Sequence, residues 1–336
     1  MKELKVVFMG TAELSCTSLQ ALAADRQFSV TAAVTQPDRS KGRTLKPQSS
    51  PVKVLAQKLG LPLLQPARIR DEKFIADLRA LRPELIVVAA YGQILPPDIL
   101  DLPPHGCLNV HTSLLPKYRG AAPIQWAIAQ GDAETGVTIM KMDAGLDTGD
   151  IVAQSSTPIS PEDDSASLHD RLARLGAELL VQTIPDYVAG KIQPRPQPVE
   201  GVSLAPKIKK EDGRIDWNLP AQRIWNRLRA FTPWPGGFTF LQTTAAGNAL
   251  SVPQSSKGQG SGETLPSRLI KIWKAVPIEK SGEAGTILSA DKNGMLVACG
   301  QGALRILELQ REGGRRMNAA EFLAGHPLTA GEKFER

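Results

Sequence analysis

Two polar side chains stand two residues apart in the segment that runs from residue 108 to residue 120. The segment reads Leu-Asn-Val-His-Thr-Ser-Leu-Leu-Pro-Lys-Tyr-Arg-Gly, with a carboxamide at Asn109 and an imidazole at His111. On an extended strand, residues i and i+2 point to the same face, so both groups aim at one place. A carboxamide can stabilise an oxyanion and an imidazole can move a proton. The spacing therefore favours an active site over two unrelated structural side chains.

A group of carboxylates supplies a third candidate. Asp143, Asp147 and Asp150 lie in a glycine-containing loop after a predicted strand. Their spacing fits no EF-hand, although three carboxylates could hold magnesium or calcium. The stronger hypothesis is that one of them is buried beside His111 and holds the imidazole in one orientation.

Metal catalysis is not predicted. The other three histidines are His105 and His326, which each adjoin a proline, and His169, which falls within a long predicted helix. None of them forms a metal-ligand pair with His111.

The elements that must position these side chains alternate between strand and helix. Apolar runs predict strands over residues 4–9, 29–35, 85–90, 107–111 and 137–142. Helical periodicity predicts helices over residues 14–25, 51–59, 71–81 and 165–189. Such alternation is typical of an α/β fold with a doubly wound parallel sheet, in which ligands bind beyond the carboxyl ends of the strands. Asn109 and His111 are at such an end. The first turn, Gly10-Thr-Ala, lacks both phosphate-binding glycine patterns, so we expect no nucleotide cofactor.

The length of 336 residues predicts two domains. Proline recurs at alternate positions near residue 195, which favours an extended spacer. We therefore expect a catalytic domain over residues 1–189, a Pro-rich linker over 190–206 and a second domain over 207–336. After a helix at 221–231, the second domain has short predicted strands, which are typical of a small barrel: 238–241, 269–275, 285–289, 295–298 and 304–309. Residues 254–262 are of low complexity and are expected to form a mobile loop.

Positive charge is concentrated at the end of the chain. Residues 201–336 hold 19 Lys/Arg and 12 Asp/Glu, whereas residues 1–200 hold 21 and 22, for a net charge of +6 overall. A polyanionic partner such as nucleic acid is one interpretation, and a merely basic soluble domain is the other. A second basic stretch, residues 38–47, is either a solvated loop or a loop that contacts phosphates.

The chain is expected to act in the cytoplasm. Cys16, Cys107 and Cys299 are scattered and odd in number, which indicates neither a disulfide framework nor a zinc site. No apolar run approaches the roughly 20 residues that span a bilayer, and the first residues are typical of a strand rather than a signal peptide. We expect a monomer with no membrane partner.

Several motifs together resemble the folate-dependent formyltransferases over nearly the whole chain. They are Asn-Val-His-Thr-Ser-Leu-Leu-Pro at 109–116, Gly-Ala-Ala-Pro-Ile-Gln-Trp at 120–126, the stretch 136–150 with its three aspartates, Thr-Gln-Pro-Asp-Arg at 35–39 with the basic loop after it, 210–217 and 229–235. The motif at 109–116 is shared across the family, including members that act on glycinamide ribonucleotide or on sugars. The resemblance implies a Rossmann-like, doubly wound and mostly parallel sheet followed by a smaller OB-like β-barrel.

The resemblance also implies the reaction. A formyl group passes from 10-formyltetrahydrofolate to the amino group of methionine on initiator tRNA, without a metal. Asn109, His111 and Asp147 are the implied catalytic trio. The tetrahydrofolate site is implied to be lined by Ser113, Leu114, Leu115 and Pro116. The implied tRNA-contacting residues of the basic loop are Lys41, Arg43 and Lys46.

The chemistry suits these residue types. When an amine attacks a formyl carbon, negative charge develops on the oxygen, and Asn109 and a protonated His111 can stabilise it. Asp147 would support the cationic imidazole and help to accept the amine proton through water. The chain departs from the family at Gly10-Thr-Ala-Glu-Leu14, where Leu14 replaces an aromatic residue.

Two other functions remain open at this point. One is a formyltransferase that acts on a small-molecule amine, either a sugar nucleotide or glycinamide ribonucleotide. The other is a non-catalytic RNA-binding protein, against which the intact set of Asn109, His111 and Asp147 argues.

Overall fold

The structure is a computed structural model that describes residues 3–40, 47–241 and 268–335. The chain divides into two compact units. The first is Met1–Ala127 with Asp132–Lys207, and the second is Ile128–Gly131 with Ile208–Arg336. In the described ranges, no helix is both long and apolar enough to cross a membrane.

The first unit holds eleven strands among its described residues. They are β1 Leu4–Gly10, β2 Phe28–Val34, β3 Arg39–Ser40, β4 Pro47–Gln48, β5 Leu63–Leu64, β6 Leu85–Ala89, β7 Cys107–His111, β8 Arg119–Gly120, β9 Glu134–Lys141, β10 Ile151–Pro158 and β11 Leu204–Ala205. The helices up to the domain boundary are α1 Glu13–Ala24, α2 Pro51–Lys58, α3 Glu72–Ala80, α4 Pro97–Leu100, α5 Pro123–Gln130 and α6 Ser165–Val188.

Seven strands form one sheet in the order β10-β9-β7-β6-β1-β2-β5. The five strands from β7 to β5 run parallel to one another, whereas β9 is antiparallel to β7 and to β10. The prediction of a mostly parallel sheet is therefore confirmed.

Helices cover both faces of this sheet. On one face, Phe74 and Leu78 of α3 and Ile99 of α4 share a buried apolar cluster with side chains of β1, β2 and β6. On the other face, α6 approaches so closely that a Cβ on Gly176 would lie 2.9 Å from Val110 Cγ1. All five residues of β6 are buried, as expected for a parallel strand that is covered on both sides.

The elements predicted from apolar runs and periodicity begin and end within about three residues of the observed ones. The long helix α6 begins after Asp164, whose carboxylate accepts from the backbone N–H groups of Ala166 and Ser167 and so caps the helix. Helix α5 and strand β10 were not predicted. Only the first two residues of β10 are buried, so the strand has no need of a continuous apolar run. Its sequence ends in Gln-Ser-Ser-Thr-Pro and therefore gives no strand pattern.

Residues 190–206, predicted to be a linker, are hydrogen-bonded along the first unit. Arg195 and Ile151 exchange backbone hydrogen bonds of 2.9 and 2.8 Å. Further on, β11 pairs in parallel with β8.

The second unit contains an antiparallel sheet, confirming the expected C-terminal β domain. Its elements are a 3-10 helix Lys210–Gly213, α7 Ala221–Ala230, β12 Gly237–Leu241, β13 Arg268–Ile278, β14 Ile287–Asp291, β15 Gly294–Ala298, β16 Ala303–Arg311, β17 Met317–Asn318 and α8 Ala319–Gly325. The strands follow the order β12-β13-β16-β15-β14, and β17 pairs with β16. The predicted loop at 254–262 lies outside the described residues.

The C-terminal segment connects the two edges of that sheet. The N–H of Ile287 in β14 donates to the carbonyl of Glu332 at 2.8 Å, and the N–H of Glu335 donates to the carbonyl of Phe240 in β12 at 2.8 Å. The chain between Glu332 and Glu335 thus bridges β14 and β12, which closes the sheet into a small barrel. Trp217 is fully buried in its core and stacks on Phe334, with ring centroids 5.5 Å apart.

Candidate active site

Asn109 and His111 lie on one face of β7, as their spacing predicted. Asn109 pairs with Val88 of β6 on one side and with Met140 of β9 on the other, and His111 pairs with Thr138 of β9. Because β7 is central, both side chains are buried, with 9% and 5% of their surface exposed. They occupy the carboxyl end of the strand, where parallel sheets bind ligands.

A polar atom lies beside each nitrogen of the His111 imidazole. Its Nε2 lies 3.0 Å from the carbonyl oxygen of Tyr118, and its Nδ1 lies 3.7 Å from Oδ2 of Asp147. A carbonyl oxygen can only accept, so Nε2 carries the proton in both the neutral and the cationic ring. The nitrogen that gains or loses a proton is therefore Nδ1, which faces the carboxylate.

Asp147 reaches His111 from a loop that folds back along the sheet. Strand β9 runs antiparallel to β7, so its last residues pair with Leu108, at the opposite end of β7 from His111. The loop must return over the sheet to bring its carboxylate to the imidazole. There, Oδ2 of Asp147 accepts from the backbone N–H of Gly120 at 2.8 Å.

Gly120 is required at that position. Its φ is +122°, and a Cβ would lie 2.7 Å from the carbonyl oxygen of Ala205. Only glycine adopts this backbone without strain, and the backbone aims the N–H at Asp147.

The Asn109 carboxamide has no hydrogen-bond partner among the residues that the structure describes. A buried amide normally satisfies its polar atoms within the protein. This one is available to a bound molecule, on the same face of β7 as the His111 imidazole.

The turn over residues 113–116 is fixed by hydrogen bonds. Ser113 is fully buried, and its hydroxyl donates to the carbonyl of Lys117 at 2.7 Å. The hydroxyl of Thr138 donates to the carbonyl of Ser113 and accepts from the N–H of Leu115. Leu115 is buried, whereas Leu114 and Pro116 are half-buried. Their role in lining a folate site stays a prediction.

Sequence reasoning missed several residues that support this end of the sheet. Gln154 of β10 donates to both the carbonyl of Leu115 and the hydroxyl of Thr138. Just beyond the ends of β1 and β2, Thr11 and Gln36 donate to the carbonyl of Tyr91 at 3.0 and 2.7 Å. A single Gln or Thr does not contribute to the hydrophobic periodicity that predicts strands and helices. The supporting role of these residues is therefore visible only in the folded structure.

Cys107 shares a strand and a face with Asn109 and His111. Burial raises the pKa of its thiol to about 12, and the charge of Asp101 adds to this. The Sγ lies 3.6 Å from the carbonyl oxygen of Ile99. A thiol in this state is not a nucleophile at neutral pH.

The other residues that the sequence singled out are the remaining carboxylates of the Asp147 loop and the predicted tRNA-contacting residues. Asp143 braces its own loop, because its carboxylate accepts from the hydroxyl of Thr148 at 2.7 Å and from the N–H of Gly145 at 3.0 Å. Among the described residues, no three His, Cys, Asp or Glu side chains are grouped so that they could hold a metal ion. The predicted tRNA-contacting residues Lys41, Arg43 and Lys46 lie outside the residues that the structure describes.

Comparison with known families matches both parts of the chain. Residues 4–184 match the family described as formyl transferase. Residues 207–327 match the family described as formyl transferase, C-terminal domain.

Curated relatives match over nearly the full length. The methionyl-tRNA formyltransferase of Myxococcus xanthus is 47% identical over 333 residues, which is 99% of this chain and 98% of the relative. The methionyl-tRNA formyltransferase of Trichlorobacter lovleyi is 48% identical over 327 residues, which is 97% and 96% of the two chains.

Solved structures share the fold at low sequence identity. HypX from Aquifex aeolicus in complex with tetrahydrofolic acid has a TM-score of 0.60 at 16% identity, and the match covers 100% of this chain and 51% of HypX. An N-formyltransferase from Helicobacter canadensis, in complex with folinic acid and dTDP-3-aminofucose, has a TM-score of 0.62 at 16% identity and covers 90% and 99%.

Proposed function

The chain belongs to the formyl transferase family, and from that premise we propose that it formylates the methionyl group of initiator tRNA. It transfers the formyl group of 10-formyltetrahydrofolate to the free amino group of methionine, for translation initiation. Full-length identity of 47–48% to methionyl-tRNA formyltransferases carries this proposal. Solved structures described as sugar N-formyltransferases share only the fold, at 17–23% identity.

The first unit supplies a site that suits this chemistry. Asn109 offers a buried carboxamide with no partner among the described residues. On the same face of β7 is the His111 imidazole, whose Nε2 proton is fixed by the Tyr118 carbonyl so that only Nδ1 can exchange a proton. Formyltetrahydrofolate supplies an electrophilic formyl carbon when bound, and Ser113, Leu114, Leu115 and Pro116 are the residues proposed to hold it. Asn109 donates to the oxygen that gains negative charge during attack by an amine.

His111 and Asp147 act as a pair. The carbonyl of Tyr118 accepts the fixed proton of Nε2, so the proton that makes the ring cationic is held on Nδ1, opposite the carboxylate of Asp147. A positive charge on the ring would therefore lie opposite the Asp147 carboxylate, on the same face of β7 as Asn109. Among the described residues, Oδ1 of Asp147 accepts no hydrogen bond, so it is open to receive the proton of the attacking amine through water.

The second unit and the basic loop are proposed to hold the tRNA. Residues 201–336 carry 19 Lys/Arg against 12 Asp/Glu. On β13, the Trp273 ring has Lys271 Nζ at 5.8 Å and the Arg316 guanidinium at 5.3 Å from its centroid. Aromatic faces beside cations suit a nucleic-acid surface. Lys41, Arg43 and Lys46 complete the proposed contacts. The same proposal covers the catalytic domain over residues 1–189, the linker over 190–206, the tRNA-binding domain over 207–336, a monomeric state and a cytoplasmic location.

A formylation assay with matched acceptors tests the proposal. The enzyme is incubated with 10-formyltetrahydrofolate and one of three acceptors: methionyl initiator tRNA, an amino-sugar nucleotide or glycinamide ribonucleotide. We expect formyl-methionyl-tRNA and no formylated small molecule. Transfer to a small amine would support the small-molecule alternative. Binding of tRNA without any transfer would instead support a non-catalytic RNA-binding protein.

A further inference from the structure

One glutamine from the segment after α6 contacts the loop that carries Asp147. Nε2 of Gln197 donates to the carbonyl oxygens of Asp147 and Gly149, each at 2.8 Å. Its Oε1 accepts from Nε and Nη2 of Arg119, at 3.0 and 2.7 Å. All four hydrogen-bonding positions of the carboxamide are therefore occupied by protein.

These partners fix the orientation of the amide. The guanidinium of Arg119 can only donate, so the oxygen of the Gln197 amide must face it. The two N–H groups then face the loop, where carbonyl oxygens can only accept. A reversed amide would lose all four hydrogen bonds at once.

The loop that carries Asp147 needs contacts from other segments of the chain to keep the carboxylate beside His111. It does not follow directly from the carboxyl end of a parallel strand. Strand β9 is antiparallel to β7 and ends beside Leu108, at the opposite end of β7 from His111. The large apolar residue of the loop, Leu146, is 56% exposed and does not anchor it. Asp147 itself has a left-handed backbone with φ of +52°, which costs on the order of 1 kcal/mol or more for a residue other than glycine and persists only where the surroundings enforce it.

Arg119 connects Gln197 to the segment that contacts both His111 and Asp147. The residue before it, Tyr118, provides the carbonyl that orients His111, and the residue after it, Gly120, provides the N–H that binds Asp147. Gln197 therefore bridges the Asp147 loop and the strand that positions both partners of that aspartate.

We propose that Gln197 is a positioning residue for formyl transfer: it holds the Asp147 backbone so that the carboxylate faces Nδ1 of His111. This rests on the proposed function, in which Asp147 supports the cationic imidazole. Gln197 reaches no reacting atom itself, so its effect passes through Asp147.

Three variants of the full-length enzyme test the role. Gln197→Ala removes the carboxamide, and Gln197→Glu keeps an acceptor for Arg119 while it removes both donors to the loop. Gln193→Ala is the matched control, since Gln193 lies in the same segment and donates to the carbonyl of Gly190. We expect kcat to fall about 10- to 100-fold in both Gln197 variants, because a small displacement of a catalytic group has that effect. The KM values for tRNA and for formyltetrahydrofolate, the melting temperature and the Gln193→Ala variant should remain near wild type.

A double-mutant cycle with Asp147→Asn separates positioning from general damage. If Gln197 acts through Asp147, Gln197→Ala should cost no further activity in the Asp147→Asn background. Additive losses, or wild-type kcat in Gln197→Ala and Gln197→Glu, would overturn the inference alone. Full activity of Asp147→Asn would instead contradict the role of Asp147 in the proposed function, and the inference with it.

Discussion

At the scale of single residues, the site depends on which nitrogen of His111 can exchange a proton. The Tyr118 carbonyl occupies Nε2 at 3.0 Å, which leaves Nδ1 facing the Asp147 carboxylate at 3.7 Å. Asp147 thus contacts the only nitrogen whose charge state can change. Because a polar atom lies beside each nitrogen, the ring has a fixed orientation, and preorganised polar groups are what make electrostatic stabilisation effective.

Cys107 offers a test that this site works without a cysteine nucleophile. Burial raises the pKa of its thiol to about 12, so almost none of it is thiolate at neutral pH. We expect Cys107→Ala to keep kcat within about twofold of wild type, because the change removes one small buried side chain. Rate measurements at saturating substrates check this. A loss on the order of 10²-fold without a loss of folded protein would implicate the thiol.

The residues of the site differ in how far sequence could predict them. Asn109 and His111 are two apart on an apolar strand, and the strand pattern alone predicts that they share a face. Asp147 required a family resemblance, because 36 residues separate it from His111. No sequence pattern predicts the roles of Gly120 and Gln197. Their contacts with Asp147 form only when the Asp147 loop and the segment after α6 both fold back onto the sheet.

At the scale of elements, strand direction was the property that sequence left undetermined. The apolar run of β9 predicts a strand but carries no information on whether it runs with or against β7. The antiparallel direction moves the Asp147 loop to the opposite end of the strand. This is why the loop depends on hydrogen bonds from Gly120 and Gln197 to reach His111.

Helix α6, which covers one face of the sheet, begins beside a buried ion pair. Asp163 is 5% exposed and contacts Arg171 at 2.6 Å. Burial by itself would raise the pKa of the Asp163 carboxyl. Hydrogen bonds from Arg171, from the Ser160 N–H and from Ser167 outweigh burial and lower the pKa below its usual value.

The lowered pKa of Asp163 predicts a pH-dependent contribution to stability. The carboxylate stabilises the fold at any pH above its unfolded pKa of about 3.9, and this contribution is lost as pH falls through the lower folded value. We expect Asp163→Asn to lower the free energy of unfolding by about 2–4 kcal/mol at pH 7, less than a fully buried pair because 34% of the Arg171 side chain is exposed. Thermal unfolding from neutral pH down to about pH 2.5 checks this.

The difference between Asp163→Asn and wild type should shrink at acidic pH, where the wild-type carboxyl is protonated too. Asp170→Asn is the control, since its side chain is 73% exposed and pairs with His169 at the surface. Its effect should stay within about 0.5 kcal/mol at each pH. If the difference in the free energy of unfolding between Asp163→Asn and wild type did not change with pH, packing rather than charge would stabilise the start of α6.

At the scale of the whole molecule, the proposed function assigns the reaction and the binding of tRNA to different parts of the chain. The trio lies in the first unit, whereas the excess of basic residues lies in residues 201–336. Composition could predict that asymmetry, and short strands with turns could predict a barrel. The closure of the barrel by residues 332–335 could not be predicted, because a single extended segment that joins two sheet edges has no periodicity of its own.

Electrostatic docking predicts that tRNA affinity falls steeply with salt. We expect the combined change of Lys41, Arg43 and Lys46 to Ala to weaken tRNA binding and to reduce the slope of log affinity against log salt by up to about three, one for each phosphate that a basic side chain no longer neutralises. Binding titrations between about 50 and 200 mM salt, the range over which such affinities change most visibly, check this. The control is Lys73→Ala, whose ammonium already pairs with Asp77. An unchanged slope would argue against phosphate contacts by this loop.

The most direct test of the central claim is the single-turnover rate of formyl transfer by Asn109→Ala, measured beside the dissociation constant for methionyl initiator tRNA. Cys107→Ala is the control on the same strand and face. The Asn109 carboxamide is buried and has no partner among the described residues, so its removal should lower the rate by about 10²- to 10³-fold and leave tRNA affinity within about twofold of wild type. A near-wild-type rate in Asn109→Ala would contradict the claim that β7 carries the catalytic site.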